Sequence, residues 1–163
     1  MLEQWIYEPG LPENVARPPA SAFAEVDAAA AAYPDTGTID PEAWARWTTA
    51  ERLRLLAKLP KTLDAAALGD LDVHLGLSHS GNDEILFAWL ELALANRYGP
   101  AVPVAEEFLA TVGRRKFVLP LFETLMKQGE WGRPIARRIY AETRPGYHSV
   151  TQGSVDEVVK PTG

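Results

Sequence analysis

Cysteine is missing from this 163-residue chain. That excludes disulfides, thiolate zinc sites and a cysteine nucleophile, and it fits a reducing, cytoplasmic setting. Histidine is scarce, with three residues, His74, His79 and His148. His74 and His79 are five apart, a spacing that does not align two ligands on one helical face. No H-E-x-x-H occurs, so no metal site is expected within this chain. The Gly-x-Ser-x-Gly elbow, the phosphate loop and the dinucleotide glycine fingerprint are also missing. No apolar run reaches membrane-spanning length, and residues 1–5 show no basic region leading into an apolar core. Positive charge is in deficit: Lys and Arg total 16 against 22 Asp and Glu, a net charge of -6. No overall basic field attracts nucleic acid or anionic lipid, so any anion site must be local.

What is present describes one ordinary folded domain. The hydrophobic fraction of 47% and charged fraction of 23% are enough for a sizeable core at this length. Residues 1–20 read as an extended arm, because Pro9, Pro12, Pro18 and Pro19 oppose helix. The arm's Trp5, Ile6, Tyr7 and Leu11 are apolar enough to lie against a surface. From 21 to 163 the pattern is helical. Ser21 can cap a helix through the alanine tract 28–32, which Pro34 is expected to end. Asp40-Pro41-Glu42 is a second start signal, and Thr48-Thr49-Ala50-Glu51 fits a capping box. The helix behind that box offers Leu53, Leu56 and Ala57 to a core and ends before Pro60.

Two short helices are expected around 63–68 and 70–77, then a loop at 78–82. The strongest helix, about 83–98, is apolar nearly all round and therefore central. Pro103 opens a helix that Gly113 closes. Pro120 sits near the start of the next one, which runs through Lys127. The last clear helix spans about 133–142, and the tail to 163 is weakly patterned. No strand alternation appears. The expected fold is all-α: an irregular two-layer stack of about eight to nine antiparallel helices, akin to a HEAT or armadillo superhelix but without a strict repeat.

Catalytic chemistry is thin. Glu106-Glu107 reads as a solvated helical face rather than an acid/base pair, and Trp44 with Trp47 reads as core. The run Gly113-Arg114-Arg115-Lys116 stands out. Arg114 follows a helix C-terminus, where a cation complements the dipole. Lys116 precedes the next helix, whose start should prefer an acid. A guanidinium and an ammonium two residues apart can grip one carboxylate, the arginine supplying a bidentate fork. From the residues alone, an anion grip and a solvated turn both stand.

Several stretches carry a family resemblance. Trp5-Ile6-Tyr7-Glu8-Pro9-Gly10-Leu11-Pro12 resembles the W-x-Y-x-P-G-L-P segment of zinc aminopeptidases of the leukotriene A4 hydrolase type. Residues 113–122, GRRKFVLPLF, are similar to the family's G-R-x-K-F-x-x-P-L-F. Asn82, Glu84, Ile85, Phe87 and Trp89 match its N-x-E-I-x-F-x-W, and Tyr140, His148, Val150 and Thr151 continue the match. The resemblance implies a C-terminal helical domain that is inactive alone and packs against a preceding catalytic domain. That absent domain holds the zinc on H-E-x-x-H and a distant Glu. The helical domain walls the active-site tunnel, and its two cations bind the free carboxylate of a short peptide substrate. By position those cations are Arg114 and Lys116. Arg115 stands where the family has a neutral residue and is read as a solvated bystander. The alternative is a free-standing helical interaction module that binds a protein through the arm.

Overall fold

A computed structural model describes residues 20–159. The extended arm, with its Trp5–Pro12 stretch, lies outside the described residues apart from Ala20. Among the described residues nine α-helices follow in order: α1 (Ala20–Thr36), α2 (Pro41–Arg46), α3 (Thr49–Lys58), α4 (Ala65–Leu75), α5 (Asp83–Ala95), α6 (Val102–Thr111), α7 (Arg115–Met126), α8 (Gly129–Thr143) and α9 (Ser149–Val159). Single 3₁₀ turns cover Leu77–His79, Gly99–Ala101 and Arg144–Gly146. No strand occurs among the described residues.

The packing is two-layered. α1 packs on α3, α3 on α5, α5 on α7 and α7 on α9, so the odd-numbered helices form one layer. α2 against α4 and α6 against α8 make the other layer. The all-α two-layer stack expected from the sequence is therefore observed.

Local signals position these helices. Asp40 accepts the Glu42 N–H at 3.0 Å and caps α2. At α3, Thr48 Oγ1 accepts from the Glu51 N–H at 3.2 Å while Glu51 Oε1 accepts from the Thr48 N–H at 2.6 Å, the reciprocal capping box. Asn82 Oδ1 accepts the N–H groups of both Glu84 and Ile85 and starts α5. α5 is central: Ile85, Trp89, Leu90, Leu92, Ala93 and Leu94 are all buried. Its Trp89 donates Nε1–H to Ser78 Oγ at 3.0 Å, and Ser78 in turn donates to both carboxylate oxygens of Asp72 at 2.8 Å. The buried indole thus has its polar atom satisfied through the loop between α4 and α5.

Several expectations are corrected. Pro34 does not end α1; it lies inside the helix, and Gly37, with φ of +68°, provides the exit. The two short helices expected around 63–68 and 70–77 are one helix, α4. Asp64 caps it by accepting from the Ala67 N–H at 2.8 Å, and Gly69 is carried through. α5 stops at Ala95, because Asn96 leaves helical geometry and Arg97 adopts a left-handed φ of 57°. α7 begins at Arg115, so Pro120 is inside it, and Pro134 is likewise inside α8. The weakly patterned tail contains α9, held by the buried face Thr151, Val155 and Val159. In α7 and α8 a buried helix face carries the chain past a proline that would otherwise break it.

Candidate functional site

The basic run lies at the junction of α6 and α7. α6 ends at Thr111, and α7 starts at Arg115 with Arg114 as its N-cap. Backbone bonds fix this start: Phe117 N–H and Val118 N–H both donate to the Arg114 carbonyl, at 2.9 and 3.0 Å. Arg114, three residues past the end of α6, is thus also the N-cap of α7. All three basic residues crowd the positive end of α7, whose first turn contains no acid. Each exposed cation there opposes the dipole by roughly 0.3–1 kcal/mol. The burial of Phe117, Val118, Leu121 and Phe122 holds the helix start in place against that cost.

Arg114 and Lys116 come together on one ring. The Arg114 guanidinium stands 5.7 Å from the Phe117 ring centroid and the Lys116 ammonium 4.8 Å from it. Phe117 is buried, with Phe87 at 5.1 Å and Phe108 at 5.8 Å between ring centroids. An aromatic cluster from α5, α6 and α7 thus carries both cations on its edge.

Their partners differ. Lys116 Nζ donates to Glu84 Oε2 at 2.8 Å, both side chains being about half exposed. Among the described residues the Arg114 side chain has its ring contact and no hydrogen-bond acceptor. Arg115 is exposed, yet it is no bystander: its Nε–H donates to Ser154 Oγ of α9 at 2.9 Å. The structure separates the run into a fork with open donors, a paired ammonium and a tie between helices.

Two residues outside the basic run complete the junction. Glu84, named in the sequence within the N-x-E-I-x-F-x-W match, supplies the counter-charge of Lys116. Tyr147 donates its hydroxyl to the Leu109 carbonyl of α6 at 2.7 Å, and a Cβ added at Gly113 would meet its ring at 3.9 Å. Burial pushes the Tyr147 phenol up, so it stays a donor throughout the neutral range. The resemblance named neither interaction, though Glu84 stands in its N-x-E-I-x-F-x-W match.

The remaining candidates disperse. His74, His79 and His148 are exposed, and among the described residues no three His, Asp or Glu side chains are grouped to hold a metal ion. Glu106 pairs with Arg138 at 3.0 Å while Glu107 is exposed, so the two do not form an acid/base couple. Trp44 and Trp47 are buried and meet edge to face at 6.4 Å, as core residues. A groove of about 360 Å³ lies between α3 and α5, where burial pushes the Glu91 carboxyl up; it shares no residue with the basic run. No helix among the described residues is long and apolar enough to cross a membrane.

The structure thus defines a two-layer helical domain with a cationic helix start on an aromatic cluster. A family model described as leukotriene A4 hydrolase, C-terminal, matches residues 47–159, and the chain belongs to this family. Aminopeptidase B of Rattus norvegicus is 27% identical over 176 residues, covering 99% of this chain and 26% of that protein. Leucine aminopeptidase 2 of Neurospora crassa is 33% identical over 82 residues, covering 50% of this chain and 12% of that protein. The fold is similar to that of native yeast LTA4 hydrolase, with a TM-score of 0.71 at 20% sequence identity, covering 98% of this chain and 29% of that one. The chain therefore spans about a quarter of the length of the aminopeptidase B to which it is similar.

Proposed function

We propose that this chain acts as the C-terminal domain of a zinc aminopeptidase, walling its active-site tunnel and binding the C-terminal carboxylate of short peptide substrates. The observation that carries the reading is the start of α7. Three cations stand at its positive end without an acid in its first turn, and two of them lean on the buried Phe117 ring. Arg114 has its fork of donors open, and a carboxylate fits that fork bidentately. A free peptide carboxylate would satisfy the guanidinium and offset the opposed dipole together.

Among the described residues no group of side chains makes a zinc site; in this reading the zinc that the family implies is held by a preceding catalytic domain, and no chemical step is assigned to this chain. Its partners in this reading are that domain and the peptide. Its share of the reaction is to hold the far end of the substrate, which fixes how much peptide fits between the carboxylate grip and the scissile bond. This chain alone is expected to be inactive.

Two measurements test the reading. The upstream reading frame must encode H-E-x-x-H with a downstream Glu; if it does not, the assignment to a zinc aminopeptidase fails. In the full-length enzyme, tripeptides with a free C-terminal carboxylate should turn over faster than their C-terminal amides. Equal kcat/KM for acid and amide would remove the carboxylate grip.

A further inference from the structure

We infer that Glu84 is a built-in competitor for the substrate carboxylate at Lys116, and thereby a specificity residue that disfavours peptides with an acidic C-terminal side chain. The inference rests on the reading of Arg114 and Lys116 as the carboxylate grip. Its own observation is the contact of Glu84 Oε2 with Lys116 Nζ at 2.8 Å.

Glu84 has no evident local task in α5. The N-cap is already supplied by Asn82, which takes two backbone N–H groups. Asp83 supplies a further acid to the first turn, so the dipole is complemented without Glu84. The pair with Lys116 is half exposed on both sides, a setting in which an ion pair contributes little to stability. What it does accomplish is electrostatic. It places one carboxylate on the ammonium that a substrate carboxylate would use, at the rim of the aromatic cluster that positions both cations.

An incoming peptide carboxylate therefore finds Arg114 open and Lys116 shared. One of the three ammonium protons points to Glu84, leaving two for the ligand. A second negative charge on the substrate's last residue would stand near Glu84 as well as near its own carboxylate. Like charges at such range repel, and exposed ones do so less as salt is added. A neutral last residue meets only the shared ammonium.

The test uses the full-length enzyme carrying this chain and tripeptides that differ only at the C-terminus: Ala as the free acid, Glu as the free acid, and Ala as the amide. Glu84→Gln is expected to lower KM for the neutral free acid about two- to fivefold at low salt with kcat unchanged. The gain should be larger for the peptide ending in Glu, shrink at high salt, and be absent for the amide. Glu84→Asp, which keeps the charge, should retain the wild-type ranking of the three peptides. Glu84→Ala serves as a second variant, and thermal melts verify that each is folded. An unchanged or raised KM for both free acids in folded Glu84→Gln and Glu84→Ala overturns the inference. If Arg114→Ala weakens the free acids selectively while the Glu84 variants behave as wild type, only the role of Glu84 falls. If wild type treats acid and amide alike, the carboxylate grip falls and this inference with it.

Discussion

Tyr140 on α8 donates its hydroxyl to Asp156 on α9 across 2.5 Å, and Arg144 forks onto both oxygens of the same carboxylate at 2.9 Å. The Arg144 and Tyr140 hydrogen bonds hold the Asp156 carboxyl down, at about 2, and burial together with Asp156 pushes the Tyr140 phenol up to about 12. A depressed carboxyl contributes stability that is fully present above its unfolded value, near 4, and lost as pH falls towards 2. A raised phenol contributes stability fully present below about 10 and lost as pH climbs through 12. Thermal melts should therefore show Tm dropping between pH 4 and 2. Asp156→Asn should reduce that slope, to which Asp27, held down by Arg54, also contributes, while lowering Tm at neutral pH. An equal acid slope in the variant would exclude Asp156 as its source.

Gly132 of α8 lies against the end of α7. A Cβ built there would stand 1.9 Å from the Leu125 carbonyl oxygen, and backbone cannot swing aside as a flexible side chain can. Gly132→Ala should destabilise by roughly 1–3 kcal/mol or more, the range for overpacking. Gly153 in α9 is the control, since a Cβ there meets nothing within 4 Å. Gly153→Ala should stabilise by about 0.5–1 kcal/mol through helix propensity. Opposite signs in denaturant titrations would confirm that space, not glycine content, decides. A neutral Gly132→Ala would mean that α7 and α8 separate at low cost.

Much of this fold is local enough to be legible in the sequence. The caps Asp40 and Thr48 with Glu51 act within three residues of themselves, so the motif and the bond coincide. The burial of α5 follows from its apolar residues alone. What escaped depends on distance along the chain. α9 carries Gly153 and several β-branched residues, and its stripe Thr151, Val155, Val159 becomes a helix face only once α7 and α8 are there to cover it. Pro120 reads as near a start because its lost N–H is a local fact, whereas the packing that carries α7 past it is not. The site divides the same way. Arg114 and Lys116 could be named from their spacing and the family resemblance. The counter-charge Glu84 lies 32 residues from Lys116, and nothing in either segment states their register.

Arg114 and Lys116 should separate in kinetics. In the full-length enzyme, Arg114→Ala removes a charged fork that has no hydrogen-bonded partner among the described residues, so the fold should be unaffected. The loss in kcat/KM for free-acid tripeptides should be about 2–4 kcal/mol. Lys116→Ala should cost less, because a point charge already shared with Glu84 has less to give than an open guanidinium. Steady-state kinetics on tripeptides, with melts as a fold check, decide the order. An Arg114→Ala enzyme with wild-type kcat/KM would remove Arg114 from the site.

Glu51 offers a test of how α3 is anchored beneath α1 and α5. Its side chain is 6% exposed, unusual for a carboxylate, and its Oε1 takes the Thr48 backbone N–H at 2.6 Å. Glu51→Ala would leave that N–H without its acceptor at the start of a helix that packs on both neighbours in its layer. A cost of about 1–2 kcal/mol is expected, from the cap and the unsatisfied donor. Glu51→Gln keeps an acceptor oxygen of the same reach and should recover most of the loss, because the bond needs a lone pair rather than a charge. If Gln behaves as Ala in denaturant titrations, the charge of Glu51, and not its geometry, holds the start of α3.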